Sequence, residues 1–240
     1  MSRAASVSVS VWPLSLSALR IAALRKVLSP DERVRADSFS VESAARDFIV
    51  SRGILRELLA VECCCDPRAI AIGRGARGKP YLEHPSLPLA FNLSHSGGYC
   101  ALAVGAFPHI GVDIEALRST VGDIAKNVFS VRETETYAAL APTDRMRMFF
   151  RGWVAKEAFL KATGEGLAGG LKSLELDLSA GSEINPIAIR GDTTALANWR
   201  FRGFDVSETI VGAVAVQSDA PRIELKVSFV DPERSIGHTI

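Results

Sequence analysis

The chain has little of what marks a membrane, secreted or nucleic-acid-binding protein. No apolar stretch approaches the run of about eighteen residues that spans a bilayer, so no membrane association is expected. The opening segment, MSRAASVSVSVWPLS, lacks the unbroken apolar core of a signal peptide. Cysteine is scarce: Cys63, Cys64 and Cys65 are consecutive, and the only other is Cys100. That is neither a paired framework nor CxxC metal spacing, and a reducing cytoplasm is the expected setting. Neither sign of charge dominates, with 28 Lys and Arg against 27 Asp and Glu. The aromatics, 7% of residues, are not interleaved with basic ones, which speaks against nucleic acid. Any anionic ligand must be held by a local basic patch, because the whole-molecule field is weak.

What is present is a chain of 240 residues, 48% apolar and 23% charged, enough for one large domain or two small ones. Val7, Val9 and Val11 alternate with serines and predict a half-buried strand. Helical spacing follows over Leu14–Leu28, with Ser15 or Ser17 as caps. Ser29-Pro30 opens a short basic helix carrying Arg33 and Arg35, and Ser43–Cys63 reads as a longer helix. Strands are expected at Leu89–Ser94, Tyr99–Val104 and Ile110–Glu115, with Gly97-Gly98 as a turn. Further on, Thr143–Thr163 reads as a helix, and Leu171–Leu178 and Trp199–Phe204 as strands.

The second half echoes the first. FDVSET followed by GAVAV parallels FNLSHS followed by CALAV, and Arg151-Gly152 parallels Arg52-Gly53 within the two long helices. The expected fold is therefore α+β, with two similar α/β subdomains related by a pseudo-twofold axis. The expected boundaries are 1–105 and 106–240, with the C-terminal tail returning to the first subdomain.

Three segments carry chemistry. In Gly111-Val112-Asp113-Ile114-Glu115, strand alternation sends Val112 and Ile114 to the core and puts Asp113 and Glu115 together on the other face. Two carboxylates so close repel unless a cation sits between them, and such oxygen ligands suit Mg²⁺. In WVAKEAFLK, Trp153, Glu157 and Lys161 share one helix face, and Glu157 adds a third carboxylate. Alone, each segment reads as a solvated surface; together they make a metal site. The third is Gly73–Lys79, which imitates both GxGxxG and GxxxxGK. Pro80 forbids the helix the first needs and lacks the hydroxyl the second needs. What remains is a flexible basic loop suited to phosphate or pyrophosphate. Ser94 and His95 read as hydrogen-bond donors rather than as a nucleophile and its base, because strand neighbours point to opposite faces.

GKPY, FNLSHS, GVDIE, the FSxxE of Phe129–Glu133 and WVAKEAFLK, in that order, resemble the signature of 4′-phosphopantetheinyl transferases, and the length resembles the Sfp-type branch. The resemblance covers roughly Ser29–Gly166. It implies Mg²⁺-dependent transfer of the 4′-phosphopantetheine arm of coenzyme A to a serine of an acyl or peptidyl carrier protein, releasing adenosine 3′,5′-bisphosphate. It implies Asp113, Glu115 and Glu157 as metal ligands and Asp113, Glu157 and Lys161 as the catalytic set. Glu157 is also the implied base for the carrier serine, a role hard to combine with tight metal ligation. Coenzyme A contacts fall to Arg35, Arg46, Lys79, Ser94, His95 and Lys161. Glu133 matches a family glutamate near the metal. Val121–Ala139 is the expected carrier landing segment, with Val128 and Phe129 as apolar contacts, and the doubled architecture implies a monomer. The competing reading is a coenzyme A- or nucleotide-binding regulatory module without transfer activity.

Overall fold

The computed structural model describes residues 5–118, 124–166, 170–179 and 183–236. Strand β1 (Ala5–Pro13) buries Val7, Val9 and Val11 completely, as its alternation with serine requires. Three helices follow, α1 (Ala18–Val27), α2 (Pro30–Asp37) and α3 (Glu42–Cys63). Ser17 caps α1 through the Arg20 amide, and Ser29 with Glu32 forms a reciprocal capping box on α2. Next come the hairpin β2 (Ala71–Arg74) and β3 (Pro80–His84), then β4 (Ala90–Ser96) and β5 (Tyr99–Gly105).

The second half runs β6 (Ile110–Ala116), α4 (Ala125–Val128), α5 (Val131–Ala139) and α6 (Pro142–Thr163). It continues with the hairpin β7 (Leu174–Leu176) and β8 (Pro186–Ile189), then β9 (Trp199–Ser207), β10 (Ile210–Gln217) and β11 (Ile223–Phe229). Helix α6 takes Pro142 into its first turn and stops at Gly164, whose φ of 71° is the left-handed conformation that glycine adopts freely.

The duplication is topological as well as sequential. In the first half, β1 pairs antiparallel with β5 and β5 with β4, while a long helix and a short hairpin separate β1 from β4. In the second, β6 pairs antiparallel with β10 and β10 with β9, with α6 and the hairpin β7–β8 between. Strand β11 then extends the first sheet, running parallel to β1 from Ala5↔Ile223 to Val11↔Phe229. The residues after it stay with the first half: Glu233 accepts hydrogen bonds from Ser17, and the Arg20 guanidinium donates to the Pro232 carbonyl.

Each half has its own core. Trp12, Leu24, Ile54 and Leu55 centre the first, and Phe129, Phe149, Val154 and Phe159 the second. A third cluster lies between the two sheets, joining Val7, Val9 and Val11 of β1 to Ile110, Val112 and Ile114 of β6 and Val214 and Val216 of β10. Burying aliphatic side chains stabilises by roughly 1.5–3 kcal/mol each, so this shared layer ties the halves into one body.

Two local expectations are corrected. Within Gly73–Lys79, Gly73 and Arg74 end strand β2, paired to Tyr81 and Pro80, and Gly75–Lys79 is the hairpin turn, with Gly75 N–H bonded to the Lys79 carbonyl at 2.9 Å. Leu171–Leu178 holds only the three-residue strand β7, preceded by a single 3₁₀ turn. Among the described residues, no helix is long and apolar enough to cross a membrane.

Candidate active site

The site forms where β6 crosses α6 and meets the edge of β4. Gly111 permits this crossing: a Cβ there would lie 2.0 Å from the Ala158 carbonyl oxygen and 2.5 Å from the Ala162 nitrogen, so only glycine lets the strand lie against the helix. Alternation along β6 then buries Val112 and Ile114 and turns Asp113 and Glu115 to the other face.

Asp113 is 5% exposed. Its Oδ1 accepts from Lys161 Nζ at 2.7 Å and from Ser94 Oγ at 2.8 Å, and Lys161 Nζ also donates to Ser94 Oγ at 2.9 Å. Its Oδ2 is buried with no hydrogen-bond partner, and so is Glu157 Oε1. Glu115 Oε2 accepts from Ser96 Oγ at 2.7 Å and from Arg118 at 3.3 Å. Burial raises the Asp113 carboxyl above its ordinary range, with Lys161 and Ser94 opposing and Glu115 reinforcing. Burial likewise raises Glu157, the Asp113 charge adds to the rise, Lys161 opposes it and Glu115 adds again.

Buried carboxylate oxygens without a donor call for a cation, and the oxygens of Asp113, Glu115 and Glu157 are the donor type a hard divalent ion prefers. The residues therefore fit Mg²⁺ in chemistry. They are not drawn into a closed cage: among the described residues no three His, Cys, Asp or Glu side chains stand as a ready metal cluster, and Lys161 rests on Asp113.

The remaining expected residues are more scattered. Ser94 lies inside the cluster, whereas His95, its neighbour on β4, is exposed on the other face and lines a cavity of about 260 Å³ with Phe39, Asp47, Phe48 and Ser51. Lys79 donates to the Ile110 carbonyl at 2.9 Å and the Ala162 carbonyl at 2.6 Å, tying the hairpin to β6 and to the end of α6; burial lowers its pKa to about 8. His109 Nδ1 lies 3.1 Å from the same Ala162 oxygen. Arg46 is exposed near the start of α3. Arg35 lines a cavity of about 680 Å³ between α2, α3 and β2. Arg52, Arg56, Arg68 and Arg74 share that lining, a basic grouping that the one-dimensional pattern does not reveal. Arg56 is bonded to Glu32 and the Ile70 carbonyl, whereas Arg52 stands 3.9 Å from Glu32. Burial lowers the Arg52 pKa, Glu32 opposes, and Arg74 and Arg56 add to the lowering.

Glu133 lies elsewhere. It is fully buried against Lys156, caps α5 through the Ser130 amide and accepts from the Leu176 amide at 2.8 Å. Lys156 also donates to the Leu174 carbonyl. The pair locks α5, α6 and β7 together. Val128 and Phe129 are core residues, 0% and 1% exposed, because Phe129 packs between Tyr137 and Phe149. The exposed apolar side chains flanking them are Ile124 and Val131. The expected landing segment begins with residues 121–123, which lie outside the described residues.

Comparison with known proteins points both halves to one family. Residues 12–106 match the family described as 4′-phosphopantetheinyl transferase, N-terminal, and residues 109–215 match the 4′-phosphopantetheinyl transferase superfamily. The chain is 37% identical to the 4′-phosphopantetheinyl transferase HetI of Nostoc over 180 residues, 72% of this chain and 76% of that protein. It is 34% identical to the 4′-phosphopantetheinyl transferase of Bacillus subtilis over 152 residues, 63% of this chain and 66% of that one. Its identity to the 4′-phosphopantetheinyl transferase psf-1 of Bacillus pumilus is 31% over 161 residues, 67% and 68% of the two chains. Matches of both halves to this family, together with 37% identity to HetI over 72% of this chain, make the chain a member of the 4′-phosphopantetheinyl transferase superfamily and an enzyme of that kind.

Proposed function

We propose that the protein transfers the 4′-phosphopantetheine group of coenzyme A to a carrier-protein serine in a Mg²⁺-dependent reaction. The observation that carries this reading is the convergence of Asp113, Glu115, Glu157 and Lys161 with a buried, unpartnered Asp113 oxygen. Asp113 and Glu115 would hold the cation, for each is oriented by a serine hydroxyl from β4. When bound, Mg²⁺ neutralises charge on the pyrophosphate.

The chain's own groups do the rest. Among the described residues no hydroxyl is bonded to Glu157, and burial raises its proton affinity, so it is suited to take the proton of the attacking serine. That oxygen forms the new bond to phosphorus as the bond to the adenosine 3′,5′-bisphosphate breaks. Lys161, within reach of both Ser94 and Asp113, stabilises the departing phosphate. The arginine-lined cavity between α2, α3 and β2 suits the adenosine 3′-phosphate end, with Arg35 and Arg52, the latter 3.9 Å from Glu32, as its guanidinium donors. His95 lines a neighbouring cavity, and Phe48 of α3 borders both. The carrier lands on the segment around Ile124 and Val131, whose side chains are 49% and 79% exposed. Both walls of the site come from one chain, which supports a working monomer.

Chromatographic detection of adenosine 3′,5′-bisphosphate tests the proposal. Its release should need coenzyme A, an apo carrier and Mg²⁺ together, and EDTA should stop it reversibly. Tight coenzyme A binding with no bisphosphate release on any carrier would instead favour the regulatory module.

A further inference from the structure

Strand β4 is joined to β6 by side chains. Asn92, Ser94 and Ser96, alternate residues on one face of β4, each accept a backbone N–H of β6: Val112 to Asn92 Oδ1 at 2.9 Å, Ile114 to Ser94 Oγ at 3.4 Å and Ala116 to Ser96 Oγ at 3.2 Å. These contacts replace a backbone ladder at the seam between the two sheets. They also fix where the two hydroxyl protons go. A serine oxygen that accepts from a strand amide has its single proton left to give, and each serine gives it to the carboxylate beside that amide, Ser94 to Asp113 and Ser96 to Glu115.

Ser96 is held firmly in place to do this. It ends β4, and the next residue, Gly97, has a φ of 59° and no room for a side chain: a Cβ would lie 2.9 Å from Ile210 Cδ1 and 3.0 Å from Ala116 Cβ. The turn therefore clamps Ser96 against β6. The other donor to Glu115 among the described residues, Arg118, is 69% exposed and 3.3 Å away, a weaker restraint than a half-buried hydroxyl at 2.7 Å.

We infer that Ser96 is a positioning residue for the cation site: it binds Glu115 through Oε2 alone and so sets the carboxylate for the divalent ion. The inference rests on the reading of Asp113 and Glu115 as the cation-holding pair. Groups that orient a metal ligand typically contribute 10–100-fold to metal affinity or activity.

Mn²⁺ binding to the purified full-length protein, measured by titration calorimetry, tests it together with the Mg²⁺ dependence of turnover. Ser96→Ala should bind Mn²⁺ about tenfold more weakly, with the half-saturating Mg²⁺ concentration raised to match and kcat recovered at saturating Mg²⁺. Ser96→Thr, which keeps the hydroxyl, should restore wild-type affinity, and it serves as the arbiter if the alanine variant is too unstable to titrate. A Ser96→Ala protein with unchanged Mn²⁺ affinity, or equal losses in the alanine and threonine variants, would overturn the role of Ser96 while leaving the cation reading intact. A wild-type protein that binds no Mn²⁺ and transfers in the presence of EDTA would overturn both.

Discussion

The Lys161 ammonium lies 2.7 Å from Asp113 Oδ1, and in the absence of a divalent ion it is the cation that offsets this buried carboxylate. Lys161→Ala should therefore lower stability, by on the order of 1–2 kcal/mol for a partly exposed pair. Added Mg²⁺ should raise the melting temperature of the variant by more than it raises that of the wild type, since the ion takes over the lost charge. Equal Mg²⁺ shifts in the two proteins would contradict this.

Glu157→Gln separates chemistry from folding. Its carboxyl is raised by burial, so the ionised side chain costs native stability once the pH passes the unfolded value, and the cost is complete above the folded pKa. The variant should be at least as stable as the wild type at pH 8 and should lose this advantage as the pH falls below the usual glutamate range. Transfer should drop by roughly 10²–10⁴-fold, the usual contribution of a general base. Near-normal turnover would remove Glu157 from the reaction.

Lys79 gives a pH signature of opposite sense. Its pKa is lowered to about 8 by burial, against 10.5 for the free side chain, so between these values the unfolded chain holds more protons than the native one. Stability contributed at this position rises with pH across that window. The melting temperature of the wild type relative to Lys79→Met should increase between pH 8 and 10.5; a constant difference would show that Lys79 does not titrate in this range.

Gly111→Ala probes the crossing of β6 and α6. A methyl group 2.0 Å from the Ala158 carbonyl cannot be accommodated without moving the helix that carries Glu157 and Lys161. The expected cost is about 1–3 kcal/mol by overpacking, measured by urea denaturation, with transfer reduced further than stability alone accounts for. Wild-type activity in this variant would mean that the two elements are freer to separate than their packing indicates.

The elements legible in the sequence were those with strong periodicity or caps. The Val7–Val9–Val11 alternation, the caps Ser17 and Ser29, and the long helices α3 and α6 all stand where their residues indicate. The strand β6 with its paired carboxylates was equally clear. The repeat was legible because β4–β5 and β9–β10 keep similar residues at similar places. Strand β11 was not, since Ile223–Phe229 is mostly exposed and takes its conformation from pairing with β1.

At the site, spacing puts Asp113 with Glu115 on one strand face and Glu157 with Lys161 on one helix face, and in the structure Lys161 bonds Asp113 while the Asp113 charge acts on Glu157. The destination of a long side chain is a tertiary matter. The Lys79 ammonium turns to two carbonyls on other elements, and Glu133 finds Lys156 on the face of α6 away from the carboxylates. Val128 and Phe129 are apolar enough for a contact surface, but the aromatic cluster around Phe149 takes them into the core. Ser96 did have a visible signal, the period-two run Asn92, Ser94, Ser96, whose meaning depends on β6 lying alongside.

The intact mass of a carrier protein is the most direct test of the central claim. After incubation of a panel of apo acyl and peptidyl carriers with this protein, coenzyme A and Mg²⁺, at least one carrier should gain the mass of a single phosphopantetheine group, and the gain should vanish with EDTA or with Glu157→Gln. Unchanged masses throughout the panel, from a protein that binds no coenzyme A, would contradict the account.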